Sequence, residues 1–189
     1  MTYRPLIDYA LRLAIEDGWI QNIEREQVNP ASVNLRVGNT AMVETGPALS
    51  TWGERSEMRK IDITSFSSKK PYWVNPGAFV LCDVQEVLAL PRYVEAEGKL
   101  RSSAARLGWD HAAALYVDPG YHGRLTLEFV NCRQGRSLPL FPGLELVQLR
   151  LFSYGKGNGP LLDYSETGRY HNAQEVEANK DLLIQADAA

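Results

Sequence analysis

The spacing of hydrophobic positions changes early in this chain. Between Leu6 and Trp19, Leu6, Ala10, Leu13, Ala14 and Ile15 recur at helical intervals. Asp17-Gly18 ends that predicted helix, since glycine readily takes the left-handed conformation past a last turn. Beyond it the period drops to two. Val33, Leu35 and Val37 alternate with Asn34 and Arg36, the mark of a strand with one buried face. Further strands are predicted at Tyr72–Val74, Phe79–Cys82, Glu86–Leu90, Leu115–Val117, Leu125–Val130, Leu138–Leu140 and Leu144–Phe152. Asn75-Pro76-Gly77, Pro91, Pro119-Gly120 and Pro142-Gly143 punctuate them as turns. Two intervals break the pattern. Residues 43–71 are polar and rich in turn formers, so loops around short strands are expected. In 92–108, the alanines and terminal glycine of Arg101–Gly108 suit a short helix. Many short strands separated by turns predict an all-β chain with minor helices, a distorted barrel or jelly roll. One domain is expected over residues 1–189, with the polar stretch 155–189 as a mobile C-terminal arm.

Composition narrows the function classes. With 189 residues, 44% of them hydrophobic, the chain can bury one real core and has little room for a second. A net charge of -3 and the absence of a clustered Lys/Arg face argue against a nucleic-acid polymer as partner. A small anion needs only a few local cations, so a mononucleotide stays open. Cys82 and Cys132 form no CxxC pair, which excludes a thiolate zinc site and argues against a disulfide framework. The start lacks an apolar signal core, and no apolar run approaches the roughly 20 residues that span a bilayer. A cytoplasmic protein without membrane contact is expected.

Three places carry candidate chemistry. As a strand, 124–131 puts Leu125, Leu127 and Phe129 on one face and Thr126, Glu128 and Val130 on the other. A glutamate on a partly buried face has its pKa raised by desolvation and can shuttle a proton near neutral pH; on an outward face it is merely solvated. Ser102 and Arg106, at i and i+4, share a face of the short helix. With Arg101 and Ser103 they offer donors for phosphate oxygens, or a plain helix cap. Asp118 heads a Pro-Gly turn, where its carboxyl suits either its own backbone or a sugar hydroxyl.

The order of the motifs is more specific than any one of them. Asn29-Pro-Ala-Ser-Val-Asn-Leu-Arg-Val-Gly38, Pro76-Gly-Ala-Phe-Val-Leu81, Arg101-Ser-Ser-Ala-Ala-Arg-Leu-Gly108, Val117-Asp-Pro-Gly-Tyr-His-Gly-Arg-Leu-Thr-Leu-Glu-Phe-Val-Asn131 and Leu140-Phe-Pro-Gly-Leu-Glu-Leu-Val-Gln-Leu149 follow one another. Together they resemble the dCTP deaminase branch of the dUTPase-like superfamily, over roughly residues 10–152. A fainter match lies at Gly168–Asn172. The resemblance implies a dUTPase-like distorted β-barrel, a homotrimer with sites between subunits, and hydrolysis of dCTP to dUTP and ammonia. Glu128 falls at the family's catalytic glutamate, where dUTPases carry an apolar residue. Ser102 and Arg106 fall where the glutamate and water are held. Arg101, Ser103 and Gln148 match phosphate-side positions, Asp118 the contact to the 3′-hydroxyl, and His111 and Ala114 the surroundings of the base. Tyr164, Arg169, Tyr170 and Gln174 belong to an arm expected to cover the substrate.

In the chemistry so implied, Glu128 takes a proton from water and returns it to the base, Ser102 orients the water, and Arg106 stabilises developing charge. The HxE…PCxxC set of zinc deaminases is missing, so the route expected is metal-free, with magnesium entering only on the phosphates. The chain departs from the pattern at Leu100 (often glycine), in a Gly108–His111 stretch one residue short, at Arg169 (usually lysine), and at Ala173 (a phosphate-binding glutamine). These departures keep a dCMP-preferring enzyme open. So do two enzymatic alternatives, a dUTPase and a bifunctional deaminase–pyrophosphatase. A non-catalytic nucleotide sensor is a third reading, and inhibition by dTTP is expected from relatives.

Overall fold

The computed structural model describes residues 3–46, 57–112, 115–162 and 164–178. In chain order these form β1 (Arg4–Pro5), α1 (Asp8–Glu16), β2 (Ile20–Gln21), a 3-10 turn (Arg25–Gln27), β3 (Val33–Glu44), β4 (Met58–Asp62), β5 (Tyr72–Val74), β6 (Phe79–Val84) and β7 (Val87–Ala89). They continue with β8 (Val94–Leu100), α2 (Ser102–Leu107), β9 (Trp109–Asp110), β10 (Tyr116–Val117), β11 (His122–Gly123), β12 (Thr126–Asn131), β13 (Leu138–Leu140), β14 (Glu145–Ser153) and α3 (Tyr164–Thr167). The expected mostly-β architecture is present. The main sheet runs β10-β8-β14-β3-β6-β12-β9, curled as a half-barrel, with β1 on β14 and β4 on β3. Smaller sheets β11-β7-β2 and β13-β5 flank it.

Alternation explains the core. Leu127 and Phe129 of β12, Val33, Leu35 and Val37 of β3, and Leu149 and Leu151 of β14 point inward and are buried. Helix α1 is shorter than the periodic stretch and turns Leu11 and Ala14 to the core. Gly18, at φ 81°, follows it as predicted.

Two strands exceed what the sequence reading gave. β3 runs on to Glu44 through a register shift between Val37 and Ala41. The kink is held by the buried Asp83, whose Oδ1 accepts from Thr40 N at 2.9 Å. A Cβ on residue 38 would lie 2.4 Å from that oxygen, so only glycine fits there. The second is β8, which precedes the expected short helix in a stretch for which no strand is predicted. Val94, Ala96 and Gly98 face inward while Glu95, Glu97 and Lys99 alternate with them. Glu95 is buried because Tyr3, Tyr116 and Tyr154 all donate their phenol hydrogens to it.

Candidate active site

Strand β12 lies antiparallel to β6, with Glu128 opposite Leu81 and Val130 opposite Phe79. Its inward residues fix the strand in the core, so the other face holds Thr126, Glu128 and Val130 half-buried. The Glu128 carboxyl is pushed above the usual carboxylate range by burial, and its own backbone N–H offsets only part of the rise. Among the described residues no neighbouring side chain pairs with it. A partly dry, unengaged carboxyl of this kind suits proton transfer near neutral pH.

The second group gathers where β8 passes into α2. Arg101 is the N-cap residue, its backbone N–H bound to the Leu146 carbonyl at 2.8 Å. No side chain caps α2, so the plain-cap reading of the serines does not apply. Ser102, Ser103 and Arg106 are exposed and make no side-chain hydrogen bond among the described residues, whereas Ala104 anchors the helix inward. Gln148 of β14 lies opposite Asn34 of β3 and Lys99 of β8, which brings it to the same junction as Arg101. The Arg101 guanidinium is ion-paired to Glu145, which also accepts from Asn34 Nδ2 at 2.9 Å.

Asp118 heads a turn with Gly120 at φ 82°, closed by Tyr121 N donating to the Asp118 carbonyl at 3.2 Å. The backbone therefore closes the turn and leaves the carboxyl unengaged among the described residues. That carboxyl is pushed up, first by partial burial and then by the Glu95 carboxylate. His111 is half-buried with its Nδ1 buried and unpartnered among the described residues. Ala114 lies outside the described residues.

The C-terminal segment docks on its own chain. Asn172 N donates to His122 O at 2.7 Å, Arg124 N donates to Ala173 O at 2.7 Å, and Ala173 bridges Gly123 in parallel. Farther on, Glu177 N reaches Thr126 Oγ1 at 3.2 Å, on the same β12 face as Glu128 and two residues before it. Gln174, exposed, donates to Asn172 O at 3.2 Å. Tyr164 opens α3 with its ring 5.5 Å from Tyr121 and 6.2 Å from His171, while Arg169 is exposed and Tyr170 half-buried.

One chain thus brings Arg101, Ser102, Ser103 and Gln148 to one junction and the arm to the Glu128 strand. It does not join Glu128 to Ser102 or Arg106: no hydrogen bond or ion pair links them among the described residues. Comparison with known proteins identifies the kin of this arrangement. The family model described as dCTP deaminase-like matches residues 7–154, which includes both strand β12 and the β8–α2 junction. The chain belongs to that family. A protein of Nanoarchaeum equitans named "dCTP deaminase, dUMP-forming" is 33% identical over 184 residues, covering 87% of this chain and 91% of its own length. One of the same name from Dictyoglomus thermophilum is 35% identical over 163 residues, 82% and 81% of the two chains. The crystal structure of 2'-deoxycytidine 5'-triphosphate deaminase from Agrobacterium tumefaciens shares the fold, with a TM-score of 0.65 at 23% identity over 90% of this chain. This chain spans 54% of that longer protein.

Two members of the junction escaped the sequence reading. Glu145 interrupts an apolar run and is its one local signal, whereas Asn34 reaches the junction only through the β3–β14 register.

Proposed function

We propose that this family member deaminates dCTP hydrolytically, with Glu128 as the acid–base residue. The observation that carries the reading is the half-buried Glu128 on β12, its carboxyl raised by burial and left free of partners. Water adds to C4 of the cytosine as Glu128 takes one of its protons and passes it to N3; Glu128 then moves the proton of the new C4 hydroxyl to the amino group, the C4–N bond breaks, and ammonia departs to leave uracil. Ser102 orients the water and Arg106 braces the carboxylate and developing charge. Both are exposed and without a hydrogen bond or ion pair among the described residues, which supports their being supplied to Glu128 by another copy in a homotrimer with sites between subunits. Arg101, Ser103 and Gln148 meet the phosphates, the free Asp118 carboxyl the 3′-hydroxyl, and His111 and Ala114 the base. Tyr164, Arg169, Tyr170 and Gln174 close the arm over the nucleotide.

Water activation is assigned to Glu128 because its half-buried carboxyl is raised by burial and has no side-chain partner among the described residues. Magnesium would ride on the phosphates, neutralising part of their charge.

A second reading is favoured by the names of the relatives. An enzyme that is dUMP-forming carries dCTP through deamination and then releases pyrophosphate. One experiment separates the readings. The protein is incubated with magnesium and dCTP, dCMP or dUTP, and ammonia and nucleotides are resolved. Ammonia with dUTP supports the first reading, and ammonia with dUMP and pyrophosphate the second. Ammonia from dCMP but not from dCTP would shift the substrate, and no ammonia from any nucleotide overturns both readings.

A further inference from the structure

We propose that Glu145 is a specificity-determining residue at the phosphate end of the site: a resident carboxylate on Arg101 that weakens binding in proportion to the charge of the phosphate chain. The inference rests on the reading of Arg101 as a phosphate-facing residue.

Glu145 is not a surface side chain in casual contact with an arginine. Its Oε2 accepts from both Arg101 Nη1 and Asn34 Nδ2. Asn34 is itself buried, its Oδ1 accepting from Asn29 Nδ2 at 2.8 Å and its carbonyl from Gln27 Nε2 at 2.8 Å. Glu145 is therefore tethered from behind through Asn34, and the Arg101 backbone is held at the end of β8 by its bond to Leu146 O.

The surrounding cations are answered in the same way. Lys99 pairs with Glu97 at 2.6 Å, and Arg36 pairs with the buried Glu86 at 2.9 Å and with Glu24 at 2.6 Å. Arg106, by contrast, has no carboxylate among the described residues. A phosphate approaching the free donors of Arg101 thus meets a guanidinium whose charge is already balanced, with a fixed negative oxygen at hydrogen-bond distance behind it. Like charges at such spacing repel, each further charge on the chain adds to the repulsion, and partial burial limits its screening. A triphosphate suffers more than a monophosphate.

The test is calorimetric binding of dCTP and dCMP, without magnesium, to the full chain and to Glu145→Gln. The amide keeps an oxygen for Asn34 and removes the charge. Binding of dCTP should tighten about tenfold and that of dCMP less than about threefold, the difference shrinking with added salt. Glu145→Ala gives the same comparison without a hydrogen bond to rebuild. An equal change for both nucleotides, or weaker dCTP binding in both variants, overturns the proposal. Arg101→Gln tests the reading beneath it. If that variant binds dCTP and dCMP as the parent does, Arg101 does not face phosphate, whatever Glu145 does.

Discussion

Strand β12 and the β8–α2 junction carry the two halves of the proposed chemistry, and they are built in opposite ways. Glu128 sits within the sheet, between the buried Leu127 and Phe129, and one chain already half-buries it and raises its carboxyl. Ser102, Ser103 and Arg106 stand on a six-residue helix, exposed and unengaged. The acid–base group needs a dry, fixed setting to raise its pKa, which only a packed sheet supplies. The donors need their hydrogen-bonding capacity free for a partner, which a buried site would already have consumed. On the proposed reading, the chemistry then depends on a second copy bringing its donors to Glu128.

That contrast can be broken outright. Glu128→Gln should lower ammonia release about 10³-fold while nucleotide binding persists, measured by ammonia assay and calorimetry. Near-parent turnover would remove Glu128 from the mechanism. Arg106→Ala should cost about 10²-fold in rate with little change in melting temperature, since the side chain is exposed and makes no hydrogen bond or ion pair among the described residues. Unfolding and refolding these two variants as a mixture should restore part of the lost rate, because a site drawing Glu128 from one copy and Arg106 from another is then whole. A mixture no faster than either variant argues that one chain holds both halves.

Smaller effects sharpen the picture. Gly123 has φ 133°, and a Cβ there would lie 2.8 Å from Ala173 N. Gly123→Ala should destabilise by about 1–2 kcal/mol and release the arm, seen as faster hydrogen exchange at Arg124 and Glu177. The smallest effect is on stability against pH. Burial raises the Glu128 pKa in the folded state, so the folded protein holds that proton more tightly than the unfolded chain. The ionised group therefore costs stability above the unfolded value of about 4.3, and the full cost is reached above the raised folded pKa. Glu128→Gln should melt higher than the parent at about pH 7, with the gap closing as pH falls toward about 4.

Much of this was legible in the alternation of residues. The face of β12, the turn at Asp118 and the short helix after Arg101 follow from local spacing. Strand β8 did not, because the charges at Glu95, Glu97 and Lys99 leave only Val94, Ala96 and Gly98 to mark its buried face. What buries Glu95 comes from Tyr3, Tyr116 and Tyr154, far away in the chain. The length of β3 was hidden too, since Gly38-Asn39-Thr40 reads as a stop unless the Asp83 carboxylate is known to lie beneath it. The separation of Glu128 from Arg106 is a matter of tertiary position, which motif order does not encode.

The three phenols gathered on Glu95 have a practical consequence at the start of the chain. Tyr3 is one of them, and Glu95 in turn raises the Asp118 carboxyl. A purification tag fused ahead of Tyr3 would pull on a knot whose carboxylate adds, after burial, to the upward push on the proposed sugar contact. Kinetic comparisons of variants are therefore best made on protein whose amino-terminal extension has been cleaved away.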